Sequence, residues 1–121
     1  MSTLNVSNIT DGTDTVETGY VLNGSAKVLL NADGTGTIAT RDTLNVSSIV
    51  DTATGSMTIN FSSNLANTDY ISSGITNSWH SYVSSTAGNK TASSHRLQAG
   101  GSAHTLIDVA EMNYQAFGDL A

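Results

Sequence analysis

Three histidines, His80, His95 and His104, are the side chains of this 121-residue chain best suited to hold a metal or move a proton. Two ligands on one strand or helix face need His-x-His or His-x-x-x-His spacing, but these residues stand fifteen and nine positions apart. They are expected as surface or hydrogen-bonded side chains. A metal ring would need one histidine from each of three chains meeting on an axis. Serines are so numerous that a Ser/His/Asp trio can be drawn from many positions, yet no Gly-x-Ser-x-Gly elbow, phosphate loop or dinucleotide fingerprint is present. Asn31-Ala32-Asp33-Gly34 echoes the middle of a calcium loop, but Leu29 stands at the first ligand position and Thr40 where the bidentate glutamate belongs. It reads as a turn. No catalytic, metal or cofactor residue is therefore assigned. Trp79, His80 and Tyr82 form the one dense aromatic group, able to stack on a sugar or anchor a protein partner. The competing reading is that Trp79 and Tyr82 enlarge the core.

Composition narrows the rest. Asp, Glu, Lys and Arg make up 12% of the chain, about half the usual ~25%, so Ser, Thr and Asn must supply the surface polarity. Ten acids against four bases give a net charge of −6, which disfavours a phosphate-binding surface and hence nucleic acid. With no cysteine, disulfides and thiolate sites are excluded. No apolar run is long enough to span a membrane, and Met1–Asp11 lacks the basic and apolar regions of a secretory leader. Synthesis in the cytosol without membrane insertion is the expectation. The six Asn-x-Ser/Thr triplets, at Asn5, Asn8, Asn23, Asn45, Asn60 and Asn89, arise naturally in a chain rich in these residues. The modest apolar share, 38%, allows only a thin core, and association would supply the missing apolar contact.

The elements that must position the aromatic group read as short strands. Met57, Ile59 and Phe61 alternate with Thr58 and Asn60, the pattern of a strand with one buried face. The turn-forming run Asp51-Thr52-Ala53-Thr54-Gly55 makes Leu44–Ile49 and Met57–Phe61 a hairpin. Further strands are expected at 26–30, 36–41, 70–75, 80–83 and 95–98, with turn chemistry roughly every ten residues, the mark of a sandwich or barrel. Residues 84–94 read as an exposed, mobile hairpin loop. Residues 105–117 fit either a helix capped by Thr105 and Asp108 or a strand with Ala110, Met112, Tyr114 and Ala116 on one face.

One stretch occurs nearly twice. Thr3-Leu4-Asn5-Val6-Ser7-Asn8-Ile9 is matched forty residues on by Thr43-Leu44-Asn45-Val46-Ser47-Ser48-Ile49. Leu44 and Val46 share a strand face, but Ile49 falls on the opposite face unless a bulge at Ser47-Ser48 adds one residue. The first copy needs the same shift, so both read as one bent strand made twice. Beyond the two copies the flanking residues differ, which argues against a duplicated domain.

Ser25-Ala26-Lys27-Val28, the turn Asn31-Ala32-Asp33-Gly34-Thr35-Gly36-Thr37, Arg41-Asp42-Thr43-Leu44-Asn45-Val46-Ser47-Ser48-Ile49 and Met57-Thr58-Ile59-Asn60-Phe61 together resemble a module of tail-fibre and other virion proteins of tailed phages, many of them marine. Asn67–Tyr70, Met112–Asp119 and the opening Met1–Val6 are similar to further parts of that module, whereas 77–104 is unmatched and the long upstream shaft of a full fibre is lacking. The resemblance implies that 105–117 is a strand, that the module sits on the particle in a trimeric or other symmetric setting, and that no catalytic residues carry over. The expectation is an all-β protein: a short extended N-terminal arm, residues 1–24, and an antiparallel, jelly-roll-like β-sandwich, residues 25–121. It would be a non-enzymatic virion component of capsid or tail, a tail-fibre-like, head-fibre or decoration protein, and a homotrimer. The arm would attach or oligomerise through Leu4, Val6 and Ile9, by strand addition or subunit packing. Loops within 77–92, with Trp79, His80 and Tyr82, would face a host glycan or protein. A carbohydrate-binding module is the contrasting class, and a hydrolase the third.

Overall fold

A computed structural model describes all residues, 1–121, and contains ten strands and one short helix. The chain begins without regular structure and then forms a small antiparallel hairpin, β1 (Asn8–Thr10) with β2 (Thr15–Glu17). The helix α1 (Thr18–Gly24) comes directly after and buries no residue. The eight remaining strands make two four-stranded antiparallel sheets. One has the order β4 (Ala39–Leu44), β3 (Val28–Asp33), β10 (Met112–Phe117), β7 (Ile71–Thr76); the other runs β5 (Val46–Ala53), β6 (Ser56–Phe61), β9 (Ser94–Gly100), β8 (His80–Val83). The expected β-sandwich is present. Its likeness to a jelly roll lies in the two four-stranded antiparallel sheets rather than in strand order, since β3–β4, β5–β6 and β8–β9 pair as sequential hairpins within a sheet.

Period-two alternation builds the core. Val28, Leu30 and Ala32 of β3 and Met112, Tyr114 and Ala116 of β10 point inward from one sheet, against Met57, Ile59 and Phe61 of β6 and Leu97 and Ala99 of β9 from the other. Leu65, Tyr70 and Val109, from connecting segments, complete the cluster. The sheets meet so closely at Gly74 that a Cβ there would stand 2.3 Å from Leu97 Cδ1. A larger residue there would have to displace the Leu97 side chain from the core.

Residues 105–117 resolve into a strand without a helix. Strand β10 starts at Met112, and the preceding segment is tied down piecewise: Ile107 N–H donates to Ala99 O (3.1 Å), Gly34 N–H to Val109 O (2.9 Å) and Gly55 N–H to the Asp108 carboxylate (2.6 Å). Asp108 thus fastens the β5–β6 turn instead of capping a helix. The 84–94 connection is also less open than expected. Within it only the tip, 85–88, and Ser93 are exposed; Lys90 Nζ reaches Tyr70 O at 2.8 Å, and Leu65 and Phe61 amides donate to Ala92 and Ser93 carbonyls, each at 2.8 Å.

The two copies of the repeated stretch fold differently. In the second, Val46 pairs with Phe61 and Ser48 with Asn60, leaving Ser47 extra, so the bulge forms and Ile49 returns to the core side opposite Ile59. Leu44 and Val46 do not share a face, however, because Asn45 takes φ 57° and carries the chain from one sheet to the other. In the first copy no bulge exists: Ile9 pairs regularly with Val16 in the β1–β2 hairpin, and residues 1–6 have no secondary structure. The reading of one bent strand made twice is corrected, since only the second copy has the neighbours β6 and the core that bend it. The arm is likewise not wholly extended, being part hairpin and part helix.

Candidate functional site

Two surfaces carry the expected contact residues, and they lie in different settings. At the end of the β8–β9 sheet edge, His80 pairs with Gly100 and Tyr82 with Gln98. A Cβ on Gly100 would stand 3.0 Å from the Tyr82 ring and 3.4 Å from His80 Cβ, so glycine leaves the space over which these two side chains lie. Their rings are near-parallel, with centroids 6.0 Å apart and planes at 28°. Spacing gave no sign of the third member. His104, held at φ 60° in a turn where its N–H donates to Gly101 O (2.9 Å), brings its ring over His80 at 4.2 Å and 19°. The cluster is framed by hydroxyls: Ser78 Oγ donates to His80 O (2.8 Å), and Thr76 Oγ1 lies 2.6 Å from Ser78 Oγ and 2.9 Å from Ser81 Oγ. Trp79, 77% exposed, packs into no core. The structure therefore joins His80, Tyr82 and His104 into one exposed stack, beside a free indole. With Trp79 the three rings form an aromatic patch, suited to stacking on a ring or anchoring a loop.

The arm is the second surface. Leu4 is 81% exposed, Val6 and Ile9 are partly so, and Val16, Tyr20, Val21 and Leu22 add further uncovered apolar side chains. No residue from 1 to 24 is buried. Local bonds alone hold the arm's shape: Thr18 N–H donates to Ser7 O (2.8 Å) and Thr18 Oγ1 lies 3.1 Å from both the Val6 and Ser7 carbonyls.

His95 sits in neither surface. It is buried, with Nε2 2.7 Å from Ser84 O and Nδ1 2.8 Å from Tyr114 Oη. A carbonyl can only accept, so Nε2 carries the proton and Nδ1 accepts from the tyrosine hydroxyl. Burial, with Lys90 nearby, holds the imidazole below its ordinary pKa. Burial also pushes the Tyr70 hydroxyl up to about 12 and raises Tyr114 further. Lys90 lies over the Tyr70 ring at 4.4 Å. The network is neutral at its centre and satisfied, a polar rivet between the sheets; its partners are far apart in sequence, which is why spacing did not reveal it. His95 and the His80–His104 pair do not converge, and no group of three or more histidines or carboxylates is placed to hold a metal ion.

The chain matches no protein-family model, no curated protein and no solved structure. The chemistry of both surfaces rests on their own geometry.

Proposed function

We propose that this protein is a non-enzymatic structural component of a tailed-phage virion, a β module fixed to capsid or tail by its N-terminal arm. The observation that carries the attachment role is the arm itself: seven apolar side chains, Leu4, Val6, Ile9, Val16, Tyr20, Val21 and Leu22, are exposed on a segment that contributes nothing to the core. Apolar surface of this kind, uncovered in the monomer, marks an interaction site. The virion setting rests on the resemblance of residues 25–62, and the partners are other virion proteins and sister subunits, with a homotrimer as the assembly. Deleting residues 2–20 should leave a folded sandwich that no longer joins particles. Retention of the truncated chain on purified particles would overturn the attachment role.

The exposed stack supports a second reading, a receptor- or carbohydrate-binding tip. Trp79, His80 and Tyr82, with His104, would stack on a host glycan or anchor a host protein. Replacing Trp79 by Ala should leave the melting temperature unchanged and reduce adsorption to host envelope. Unaltered adsorption would count against this role.

A further inference from the structure

The two copies of the repeated stretch face an asymmetry that suggests where the arm docks. In the second copy, each side chain that shapes the bent edge has its own partner. Asn45 adopts positive φ and clamps Ser63, accepting from its N–H (2.6 Å) and donating Nδ2–H to its carbonyl (3.0 Å). Ser47 is the bulged residue, its Oγ 3.2 Å and 3.3 Å from the Asn60 and Phe61 carbonyls. Val46 and Ile49 pack against the core from its rim. Every one of these types recurs in the arm at the same spacing, as Asn5, Ser7, Val6 and Ile9.

Strand β5 is an edge strand, with β6 on one side and no strand on the other. Where β4 passes into β5 there is a hollow of about 380 Å³ lined by Ile38, Thr43, Val46, Ser47, Ser48 and Ile49 among others, and none of its lining residues is charged. The arm from Ser2 to Thr10 also lacks charged side chains. In a molecule of net charge −6, copies repel one another over most of their surface, so two uncharged surfaces are where they can meet. A strand that pairs along a bent, bulged edge must bend where the edge bends. Asn is among the few non-glycine residues that readily take positive φ, and Asn5 stands where such a bend is needed.

We infer that the arm of one chain, Thr3–Ile9, docks as an added strand on the β5 edge of a second copy. Like residues lie beside like, and Val6 fills the hollow next to Val46. This rests on the attachment role proposed above and names its receptor. Strand β1 has β2 on one side only, so its free edge can join β5 without opening the hairpin. The occupant is a second copy because Thr18 holds residues 6 and 7 at the start of α1, and a seven-residue helix, about 10 Å long, separates that point from Ser25. Within one chain β1 pairs with β2 alone, and no residue of the arm lines the hollow.

The absence of cysteine makes a directed cross-link clean. Full-length Ser7→Cys and Ser48→Cys variants, mixed under mild oxidation, should give a disulfide-linked dimer of the two different chains. Ser7→Cys mixed with Ser102→Cys, at an exposed remote position, should give at least tenfold less. Sedimentation velocity should show the wild type associating, and the association weakened tenfold or more by Val6→Asp with Ile9→Asp on the arm, or by Thr43→Lys with Ser48→Lys on the edge. Unchanged circular dichroism and melting would show that each variant is folded. Overturning results are a monomeric wild type without cross-link, a Ser7→Cys/Ser48→Cys cross-link no more abundant than the Ser7→Cys/Ser102→Cys one, or association that the arm variant abolishes and the edge variant leaves intact. In each case particle incorporation of the 2–20 deletion is scored separately, so that the docking site can fail while arm-mediated attachment stands.

Discussion

Ile9 and Ile49 occupy the same place in nearly the same seven residues, yet one is solvent-exposed on a two-stranded hairpin and the other packs against a sandwich core. Their difference lies entirely in the neighbours. Ile49 faces Ile59, and Asn45 and Ser47 are engaged by the segment 60–63, so the local pattern is converted into a bent strand. Around Ile9 there is only Val16, itself exposed, and a two-stranded hairpin alone is at best marginally stable. A strand pattern therefore behaves as a capacity to pair that needs a partner to become structure. In the sandwich the partner is internal; in the arm no such partner is present, and its apolar side chains stay exposed.

If that contrast holds, core truncation and arm truncation should separate sharply in denaturant titrations. Leu97, fully buried and set against Gly74, is the strongest case: Leu97→Ala should lower the unfolding free energy by about 2–5 kcal/mol, the range for deleting a buried leucine side chain. Ile9→Ala should fall within about 0.5 kcal/mol of the wild type. Two glycines allow a finer comparison. Gly55 (φ 64°) and Gly12 (φ 100°) both take positive φ, but a Cβ on Gly55 would stand 2.5 Å from Ile107 O, whereas one on Gly12 meets nothing within 4 Å. Gly55→Ala should cost roughly 2–3 kcal/mol of sandwich stability, strain and collision together. Gly12→Ala should leave the sandwich transition unmoved, since its strain is confined to the hairpin.

The same contrast explains what could be foreseen. Alternation at Met57, Ile59 and Phe61, and the turn before them, encodes the β5–β6 hairpin within one short window. The bulge at Ser47 was legible because Ile49 was out of phase. The crossing at Asn45 was not, because asparagine tolerates positive φ without requiring it, and only the clamp from Ser63 selects that state. His104 reached the stack through a turn, and Lys90 closed over Tyr70 from a stretch whose Ser, Thr and Gly content reads as open loop. His95 and Tyr114 are nineteen residues apart and meet only through the packing of two sheets. Trp79, His80 and Tyr82 were visible as a cluster because β8 is short and local. Leu4, Val6 and Ile9 stood out in the sequence because residues 3–9 lie outside the stretch that forms the sandwich, and the structure leaves them exposed.

Between pH 8 and 5 the polar rivet gives the sandwich a pH response that the arm lacks, there being no histidine before residue 80. His95 is held below its ordinary value of 6.5 when folded, so on acidification the unfolded chain takes the proton first. Stability should then be greatest above about pH 6.5 and decline as pH falls below it, until the folded pKa is passed. Melting temperatures of the full chain and of the 2–20 deletion, measured from pH 8 to 5, should fall in parallel; a slope that vanished with the arm would place the response there instead. Tyr114→Phe should cost about 1–3 kcal/mol at pH 8, because Nδ1 loses its donor in a buried site.

The smallest expected effect is also the most direct test of the contrast, since it changes the same residue type in the two copies. Asn45→Ala removes the clamp on Ser63 and places alanine at φ 57°, for a loss of about 1–2 kcal/mol. Asn5→Ala removes no hydrogen bond within the chain's sandwich and should leave the unfolding transition within about 0.5 kcal/mol of the wild type. Measured on the monomer at high dilution, Asn5 is then silent. Measured at concentrations where chains associate, an arm that must track a bent edge needs an asparagine's tolerance of positive φ, so Asn5→Ala should weaken association while Asn5→Gly restores it. Equal stability losses at Asn5 and Asn45 in the dilute monomer would mean that the arm is packed on its own sandwich, and the division between the two regions would fail.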